Sequence, residues 1–176
     1  NKMLKRLFDI IFSFLGLILV SPLLLLLAIL IKIDSRGPVF YRGQRVGKGG
    51  EIFRIFKFRS MVPDAEKLGG PSTSADDQRL TKIGKFLRKH KLDELPQLIN
   101  VIIGQMSFVG PRPEVLSEVE TYDEETKKII LSIKPGMTDL ASLSDLHEEE
   151  VLRGSKDPHQ TYREIIKPQK VKLAVA

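Results

Sequence analysis

The chain has 176 residues, which is enough for one globular domain together with a membrane segment. It contains no cysteine, which excludes disulfides, thiolate zinc sites and a cysteine nucleophile. Its 28 lysines and arginines exceed its 22 acidic residues, and the resulting net charge of +6 suits lipid headgroups, nucleotide phosphates or nucleic acid without distinguishing among them.

The most apolar part of the chain covers residues 10–31, which contain no charged side chain. A helix of this length extends for about 33 Å, so it is long enough to cross a bilayer. Ser21 and Pro22 lie in its middle. The proline removes one backbone donor, and the neighbouring serine hydroxyl is able to bind a backbone group that the proline frees.

Basic residues flank this apolar segment on both sides. They are Lys2, Lys5 and Arg6 before it, and Lys32, Arg36, Arg42 and Arg45 after it. The positive-inside tendency favours keeping both flanks in the cytoplasm, as in a re-entrant helix that bends at Ser21 and Pro22 and returns. Spanning helices also tolerate proline, so the residues alone leave both topologies open.

Residues 39–58 predict a β-hairpin, with strands at 39–42 and 52–58 around a glycine-rich loop. Regular alternation along the second strand would place four side chains on one face: Phe53, Ile55, Lys57 and Arg59. Two cations would then emerge from the end of an apolar strip. They could bind a substrate, or they could form an ordinary solvated strand end.

Several short helices are predicted after the hairpin. Leu80, Ile83 and Leu87 recur at helical spacing among basic residues, which predicts an amphipathic helix suited to a membrane surface or a phosphate. Further helices are expected over residues 114–122, 124–133, 145–153 and 162–166. The expected fold is mainly α with a small β-hairpin, divided into a membrane segment at 1–36 and a globular domain at 37–176.

Asp93 and Glu94 form the most informative acidic pair. Apolar residues recur at helical spacing over residues 92–102, so a helix is predicted to begin near Asp93, with Pro96 in its first turn. Spacing alone favours a structural role, with Asp93 as the N-cap and Glu94 as a first-turn acid. The position also suits chemistry, because a helix N-terminus attracts phosphate and carboxylates form aspartyl-phosphate intermediates. Mg²⁺ accepts such a pair together with substrate phosphate oxygens.

A candidate phosphate contact lies downstream, in the sequence GPRP at residues 110–113. This rigid turn fixes the direction of Arg112, whose planar guanidinium matches phosphate oxygens. Taken alone, the turn is interpreted equally well as a proline-stiffened loop with an exposed arginine. The chain has no Walker A motif and no dinucleotide-binding glycine fingerprint.

Together and in this order, these motifs resemble the bacterial sugar transferase family, the monotopic phosphoglycosyltransferases. The matching stretches cover nearly the whole chain: KRLFD at 5–9, the Ser-Pro pair in the apolar helix, FKFRSM at 56–61, LDELPQLINV at 92–101 and MSFVGPRP at 106–113. The size is similar to that of minimal members that consist of the catalytic core only, the PglC-like enzymes of bacterial protein N-glycosylation.

The resemblance implies a re-entrant membrane helix and a cytoplasmic domain with interfacial amphipathic helices, monotopic at the bacterial inner membrane. It implies transfer of a phosphosugar from a UDP-sugar to undecaprenyl phosphate, a polyprenyl phosphate, with release of UMP. Mg²⁺ is the implied cofactor, membrane lipid is a partner, and nucleic acid is not. Similarity to the minimal members suggests UDP-N,N'-diacetylbacillosamine as the donor.

The resemblance also implies roles for individual residues. In the family pattern Asp93 attacks the β-phosphate to form a covalent phosphosugar, and Glu94 helps bind Mg²⁺ beside it. Arg112, next to Pro111, would hold a phosphate, and the implied supporting cations are Lys57, Arg59 and Arg88. The chain departs from the common pattern at three positions: Lys91 in place of a serine, Gln105 in place of an acid, and Asp139.

Two other functions are compatible with the residues. A membrane-anchored binding module would explain the charge and the apolar helix, but it gives no reason for the acidic pair near a helix start and the GPRP turn. A metal-assisted phosphohydrolase would use the same carboxylates with water as the acceptor. The oligomeric state does not follow from the sequence.

Overall fold

The protein is mostly helical, with short strands that pair two by two. The computed structural model describes residues 2–70, 72–139, 151–155 and 157–175. The helices are α1 (Lys2–Asp34), α2 (Lys82–Lys89), α3 (Gln97–Ile102), α4 (Leu116–Val119), α5 (Glu124–Ile130), α6 (Pro158–Thr161) and α7 (Lys167–Val175). The strands are β1 (Phe40–Tyr41), β2 (Gln44–Val46), β3 (Ile52–Arg54), β4 (Lys57–Phe58), β5 (Ser107–Val109) and β6 (Gly136–Thr138). A π-helical turn, Tyr162–Ile166, joins α6 to α7.

α1 runs as one helix through the Ser-Pro pair in its middle. Pro22 lacks the N–H that would bind the carbonyl of Ile18, four residues earlier. The hydroxyl of Ser21 donates to that same carbonyl at 2.8 Å, so the freed acceptor keeps a partner. The predicted serine contact is therefore confirmed. The pair does not divide α1 into two helices, because the helical bonding continues on both sides of it, and the re-entrant bend stays a prediction.

Most of α1 is apolar and exposed. Among the described residues it is the only helix long and apolar enough to cross a membrane. Leu19 is 81% exposed and Leu25 is 66% exposed, and an apolar surface of this extent is typical of contact with lipid. α1 is accordingly a membrane-associated helix.

The N-terminal end of α1 is fastened to the globular part of the chain. Arg6 donates to the carbonyls of Val101 and Ile102, at 2.6 and 2.7 Å, where α3 ends. A helix C-terminus carries unsatisfied carbonyls and partial negative charge, which a guanidinium neutralises. Asp9 is buried and accepts from the backbone N–H of Phe108 at 3.2 Å, which ties the same end of α1 to β5.

The C-terminal end of α1 is fastened to the globular part as well. Leu27 and Ile31 are buried in one core cluster with Phe58 and Leu87, so this end packs on β4 and α2. The carboxylate of Asp34 accepts from the N–H of Ile83, in the first turn of α2, at 3.1 Å. The bounds of α1 are close to the predicted division of the chain after residue 36.

The predicted β-hairpin is confirmed. β1 pairs with β4 and β2 pairs with β3, both antiparallel. The pairing is interrupted at residues 42–43 and 55–56, so the strand does not keep a single face. Phe53 and Ile55 pack with Val101 and Met106, whereas Phe58 packs beneath α1. The hairpin therefore contributes to two core clusters, one against α3 and one against α1.

A parallel pair of strands, β5 and β6, was not predicted. Ser107 pairs with Gly136 and Val109 with Thr138. The chains approach so closely that a Cβ at Gly110 would lie 2.3 Å from the carbonyl oxygen of Lys134, so only glycine fits there. These strands are distant in sequence and only three residues long, which leaves no local pattern to reveal them. Their pairing holds the start of the GPRP turn.

The C-terminal helices are attached through the buried carboxylate of Glu118. Lys167 lies 2.6 Å from one carboxylate oxygen, and Arg163 donates to the other at 3.0 and 2.7 Å. Burial by itself would raise the pKa of Glu118, but these hydrogen bonds hold that pKa below its ordinary value. Tyr162 donates to Glu114 at 2.9 Å, which links the same helices to the segment after the GPRP turn.

The other predicted helices are present but shorter. The basic amphipathic helix is α2, and residues 162–166 form the π-helical turn. The helix expected over 114–122 is only α4, because the chain turns after it and Asp123 caps α5 by accepting from the N–H of Thr126 at 2.8 Å. The helix expected over 124–133 ends at Ile130, and the N–H of Ser132 turns back to the carbonyl of Ile129, while the carbonyl of Leu131 accepts from the N–H of Gly49 in the hairpin loop. The helix expected over 145–153 lies mostly outside the described residues.

Candidate active site

Asp93 and Glu94 lie in a short 3₁₀ turn, Leu92–Glu94, that precedes α3. The prediction that Asp93 is the N-cap of a helix is wrong, because α3 begins only at Gln97 and the residue before it is Pro96. The 3₁₀ turn is entered through Lys91 in a left-handed conformation, with φ of 56°. This entry points the acidic pair into the domain, where the Asp93 side chain is 2% exposed.

Lys57, the first residue of β4, lies between the two carboxylates. Its ammonium nitrogen is 2.9 Å from Oδ2 of Asp93 and 3.3 Å from Oε1 of Glu94. The hairpin therefore delivers one of the two predicted strand cations directly to the acidic pair. Of the two interpretations of Lys57, a substrate-site cation and a solvated strand end, the second is wrong for this residue, since its side chain is only 18% exposed.

Arg112 reaches the same cluster from the GPRP turn. Its Nη2 lies 2.7 Å from Oε1 of Glu94, so that one oxygen is shared by Arg112 and Lys57. Burial would raise the pKa of Glu94, but the nearby charges of Arg112 and Lys57 hold that pKa far below its ordinary value. Glu94 is therefore ionised at all physiological pH values.

The four side chains carry balanced charge in a graded environment. Two carboxylates face two cations, so the cluster is formally neutral although it is mostly buried. The exposed fraction of the side chain increases from Asp93 (2%) through Glu94 (14%) to Arg112 (37%). The cluster is therefore open to solvent on the side where Arg112 lies. Oδ2 of Asp93 is buried and has no aligned hydrogen-bond partner among the described residues, although it forms an ion pair with the Lys57 ammonium.

Asn100 fixes the hairpin against α3 and so sets the position of Lys57. It is fully buried, and its Oδ1 accepts from the N–H of Phe56 at 2.7 Å. Its Nδ2 donates to the carbonyl of Arg54 at 3.0 Å and to Oε1 of Gln105 at 2.7 Å. Sequence reasoning missed this residue. The available signal was an asparagine within the apolar stripe LINVI, since a polar group buried among such neighbours needs partners.

The remaining predicted site residues lie around this cluster. Arg59 is buried and donates to the carbonyls of Ser35 and Arg36, so its described contacts are in the turn after α1. Pro111 is buried, and its carbonyl accepts from the N–H of Gly136 at 2.9 Å, which keeps the Arg112 turn on β6. The substrate-binding roles of Arg59 and Pro111 stay predictions.

Arg88 lies on α2, where its charge acts on Asp77. Burial opposes ionisation of Asp77, but hydrogen bonds from Arg79 and the charges of Arg79 and Arg88 hold the pKa of Asp77 below its ordinary value. Asp77 is itself held by Arg79 at 2.7 Å. The role of Arg88 as a supporting cation for substrate stays a prediction.

The acidic pair is compatible with one Mg²⁺ ion bound together with a substrate. Within the described residues no group of three or more acidic or histidine side chains is present that could hold a metal alone. Mg²⁺ commonly takes one or two carboxylates and completes its shell with phosphate oxygens and water. Because Asp93 and Glu94 are already balanced by Lys57 and Arg112, a divalent cation would leave the site with the positive charge that a diphosphate requires.

Comparison with known proteins defines the class of the chain. The model of the family described as bacterial sugar transferase matches residues 1–165. The chain therefore belongs to the bacterial sugar transferase family, which confirms the resemblance seen in its motifs. The finer similarity to the minimal PglC-like members stays a prediction.

Three relatives illustrate the sugars that appear in the names of similar proteins. The chain is similar to a UDP-glucose:undecaprenyl-phosphate glucose-1-phosphate transferase of Klebsiella pneumoniae, 46% identical over 82% of this chain and 31% of the relative. It is similar to a UDP-N-acetylgalactosamine-undecaprenyl-phosphate N-acetylgalactosaminephosphotransferase of Aeromonas hydrophila, 42% identical over 80% of this chain and 34% of the relative. A putative undecaprenyl-phosphate N-acetylgalactosaminyl 1-phosphate transferase of Bacillus subtilis is 45% identical over 69% of this chain and 68% of the relative. The chain thus spans about a third of the length of the first two.

Proposed function

We propose that this protein is a polyprenyl-phosphate phosphoglycosyltransferase that moves a phosphosugar from a UDP-sugar to undecaprenyl phosphate and releases UMP. The observation that carries the proposal is a buried carboxylate oxygen of Asp93 beside the Lys57 ammonium, with Glu94 and Arg112 completing a neutral cluster. The names of the relatives, which combine UDP-sugars with undecaprenyl phosphate, support the same reaction.

The reaction proceeds in two displacements at one phosphorus atom. In the first, a carboxylate oxygen of Asp93 forms a bond to the β-phosphorus of the UDP-sugar, and the bond from that phosphorus to the bridging oxygen breaks. UMP leaves with the electron pair, and the phosphosugar stays on Asp93. In the second, a phosphate oxygen of undecaprenyl phosphate attacks the same phosphorus, the bond to Asp93 breaks, and the carboxylate is restored.

The charged neighbours of Asp93 support both displacements. Lys57 and Arg112 are placed to neutralise the phosphate oxygens, on which negative charge accumulates as UMP leaves. Incoming phosphate would compete with Glu94 for these cations, since Oε1 of Glu94 contacts both of them. Glu94 and Asp93 would hold Mg²⁺, which when bound supplies further charge neutralisation to the diphosphate. Asp93 also needs no general base, because a carboxylate is already a nucleophile when ionised.

The attachments of α1 support a monotopic position on the cytoplasmic face of the inner membrane. Arg6 and Asp9 near one end, and Ile31 and Asp34 near the other, contact the same globular domain. A spanning helix would carry these ends to opposite sides of the bilayer, about 30 Å apart. We infer a re-entrant arrangement in which both flanks stay cytoplasmic. Cysteine labelling that places Lys2 and Arg36 on opposite sides of the membrane would refute it.

The first experiment measures UMP release by detergent-solubilised protein supplied with Mg²⁺, undecaprenyl phosphate and a panel of UDP-sugars. The panel contains UDP-glucose and UDP-N-acetylgalactosamine, the sugars in the relatives' names, and UDP-N,N'-diacetylbacillosamine, the expected donor. UMP from one donor, dependent on lipid, supports the transferase. Continuous UMP release without lipid would favour a phosphohydrolase, and no UMP with any donor would favour a binding module.

The second experiment tests the nucleophile. Asp93→Asn should lower turnover by at least about a thousandfold and abolish the covalent phosphosugar, because an amide is not a competent nucleophile at phosphorus. Asp64→Asn is the matched control, since the Asp64 side chain is 70% exposed and its ion pair among the described residues is the local one with Lys67. Intact-protein and peptide mass spectrometry locate the adduct. An adduct that persists in the Asp93→Asn variant, or that maps to another residue, contradicts the mechanism.

A further inference from the structure

A second feature of the molecule is a cleft of about 570 Å³ on the outer side of the hairpin. Its walls come from β1 to β3 and from the start of α4: Tyr41, Arg42, Gly43, Gln44, Arg45, Ile52, Arg54, Val115, Leu116 and Ser117. The volume lies within the range of small-molecule sites. Among the residues identified above as candidate site residues, none lines this cleft.

The cleft is strongly basic. Arg42, Arg45 and Arg54 contribute three positive charges, and no acidic residue is among the described side chains that line it. Three guanidinium groups around one cavity repel one another unless an anion lies between them. Ile52, Val115 and Leu116 add an apolar part to the lining, and Gln44 and Ser117 add neutral hydrogen-bonding groups.

Arg42 is held in place before any ligand binds. Its guanidinium carbon lies 3.3 Å from the centroid of the Phe56 ring, and its Nη2 donates to the carbonyl of Arg54 at 3.4 Å. A guanidinium held by stacking on an aromatic ring is suited to bind phosphate, since little side-chain entropy remains to be lost.

The cleft is linked to the cluster of Lys57, Asp93, Glu94 and Arg112 by two short segments of the chain. Arg54 precedes Lys57 by three residues, which corresponds to at most about 10 Å along a strand. On the other wall, Val115 follows Arg112 by three residues. The hydrogen bond from the N–H of Val46 to the carbonyl of Glu114, at 2.9 Å, keeps these two walls together. These short separations place the two sites within the length of one nucleotide sugar.

The position of α1 separates the cleft from the membrane contacts. The elements that pack most extensively on α1 are α3, α2 and β5, and none of them lines the cleft. The cleft consequently opens on a part of the domain other than the one that carries the lipid-facing helix. This argues for a water-soluble anion and against a lipid headgroup.

We propose that this cleft binds the nucleotide part of the donor, with its arginines on the α-phosphate and the apolar part of its lining against the ribose and base. The inference rests on the proposed function for the identity of the donor. Lys57 and Arg112 would then hold the β-phosphate at Asp93, while the cleft holds the part of the donor that leaves as UMP.

The test is calorimetric titration of the full chain in detergent with UDP, which requires no turnover. Arg42→Ala and Arg54→Ala should each raise the dissociation constant roughly tenfold or more, because each removes a charge-assisted contact to phosphate. Arg54→Lys should recover part of the loss. The matched control is Lys85→Ala, which removes an exposed cation from α2 and should leave UDP binding unchanged. Circular dichroism verifies that the Arg42 variant is folded, and the exposed Arg54 gives an independent result.

The outcomes distinguish this inference from the proposed function. If the wild-type chain binds no UDP, the nucleotide-sugar function itself fails. If the wild type binds UDP and all arginine variants bind it within about twofold, the cleft is not the nucleotide site. If the variants keep their UDP affinity but show a higher KM for undecaprenyl phosphate, the arginines serve lipid phosphate and the inference is overturned.

Discussion

Asn100 offers the sharpest test of how the fold builds the proposed catalytic cluster of Lys57, Asp93, Glu94 and Arg112. Replacing Asn100 by alanine removes three hydrogen bonds, to the N–H of Phe56, the carbonyl of Arg54 and Oε1 of Gln105. At about 0.5–1.5 kcal/mol for each bond, the expected loss of unfolding free energy is about 1.5–4.5 kcal/mol. Because these bonds fix the hairpin on α3, Lys57 should also lose its register with Asp93, and kcat should fall ten- to hundredfold.

Two further substitutions make this prediction specific. Gln105→Ala removes one of the three hydrogen bonds and should lower the unfolding free energy by about a third as much as Asn100→Ala. Asn100→Asp keeps the acceptor for Phe56 but turns the donor toward the Arg54 carbonyl into a second acceptor. The Gln105 amide can rotate to donate, whereas the Arg54 carbonyl cannot. The new carboxyl should therefore be destabilising when ionised, and lowering the pH so that it protonates and donates again should recover part of the stability.

Urea denaturation in detergent, followed by circular dichroism, measures the free energies, and UMP release under conditions where each variant is folded measures kcat. A loss below about 1 kcal/mol for Asn100→Ala would contradict the assigned hydrogen bonds. A full loss of stability with unchanged kcat in the folded fraction would show that Asn100 does not position Lys57.

Two other predictions concern packing and charge outside the cluster. Glu118→Gln should lower the unfolding free energy by about 3 kcal/mol at pH 7, because it leaves Lys167 buried without its carboxylate. Folding depresses the pKa of Glu118, so the carboxylate stabilises the fold at pH values above its unfolded-state pKa. This contribution is lost as the pH falls through the folded-state pKa. Urea titrations should therefore find that the unfolding free energies of wild type and variant converge under acid conditions. Gly84→Ala should lower the unfolding free energy by about 1–3 kcal/mol, because the added Cβ would lie 1.9 Å from the carbonyl oxygen of Ser60 and would push α2 away. The control is Lys85→Ala on the exposed face of the same helix, which should leave the thermal denaturation nearly unchanged.

The sequence determined the features that depend on local pattern. An uncharged run of 22 residues is apolar wherever it is placed, so the membrane-associated helix followed from composition alone. The glycine-rich loop between two β-type segments predicted the hairpin, and Pro22 with its preceding serine predicted a replacement contact to a freed backbone group, which the structure identifies as the carbonyl of Ile18. The order of short motifs determined the family, because several matches in one register rarely coincide by chance.

Only the tertiary structure decided how these parts meet. Spacing predicted Asp93 as a helix N-cap, yet it lies in a separate turn whose direction is set by the left-handed backbone at Lys91. Lys57 and Arg112 come from elements far apart in sequence, and no local pattern states that both contact Glu94. The contacts that bring them there are long-range: Asn100 under the hairpin and the parallel pairing of β5 with β6. Such contacts depend on shape and burial across the whole domain, so the residue types of the site could be predicted from the sequence, whereas its assembly required the fold.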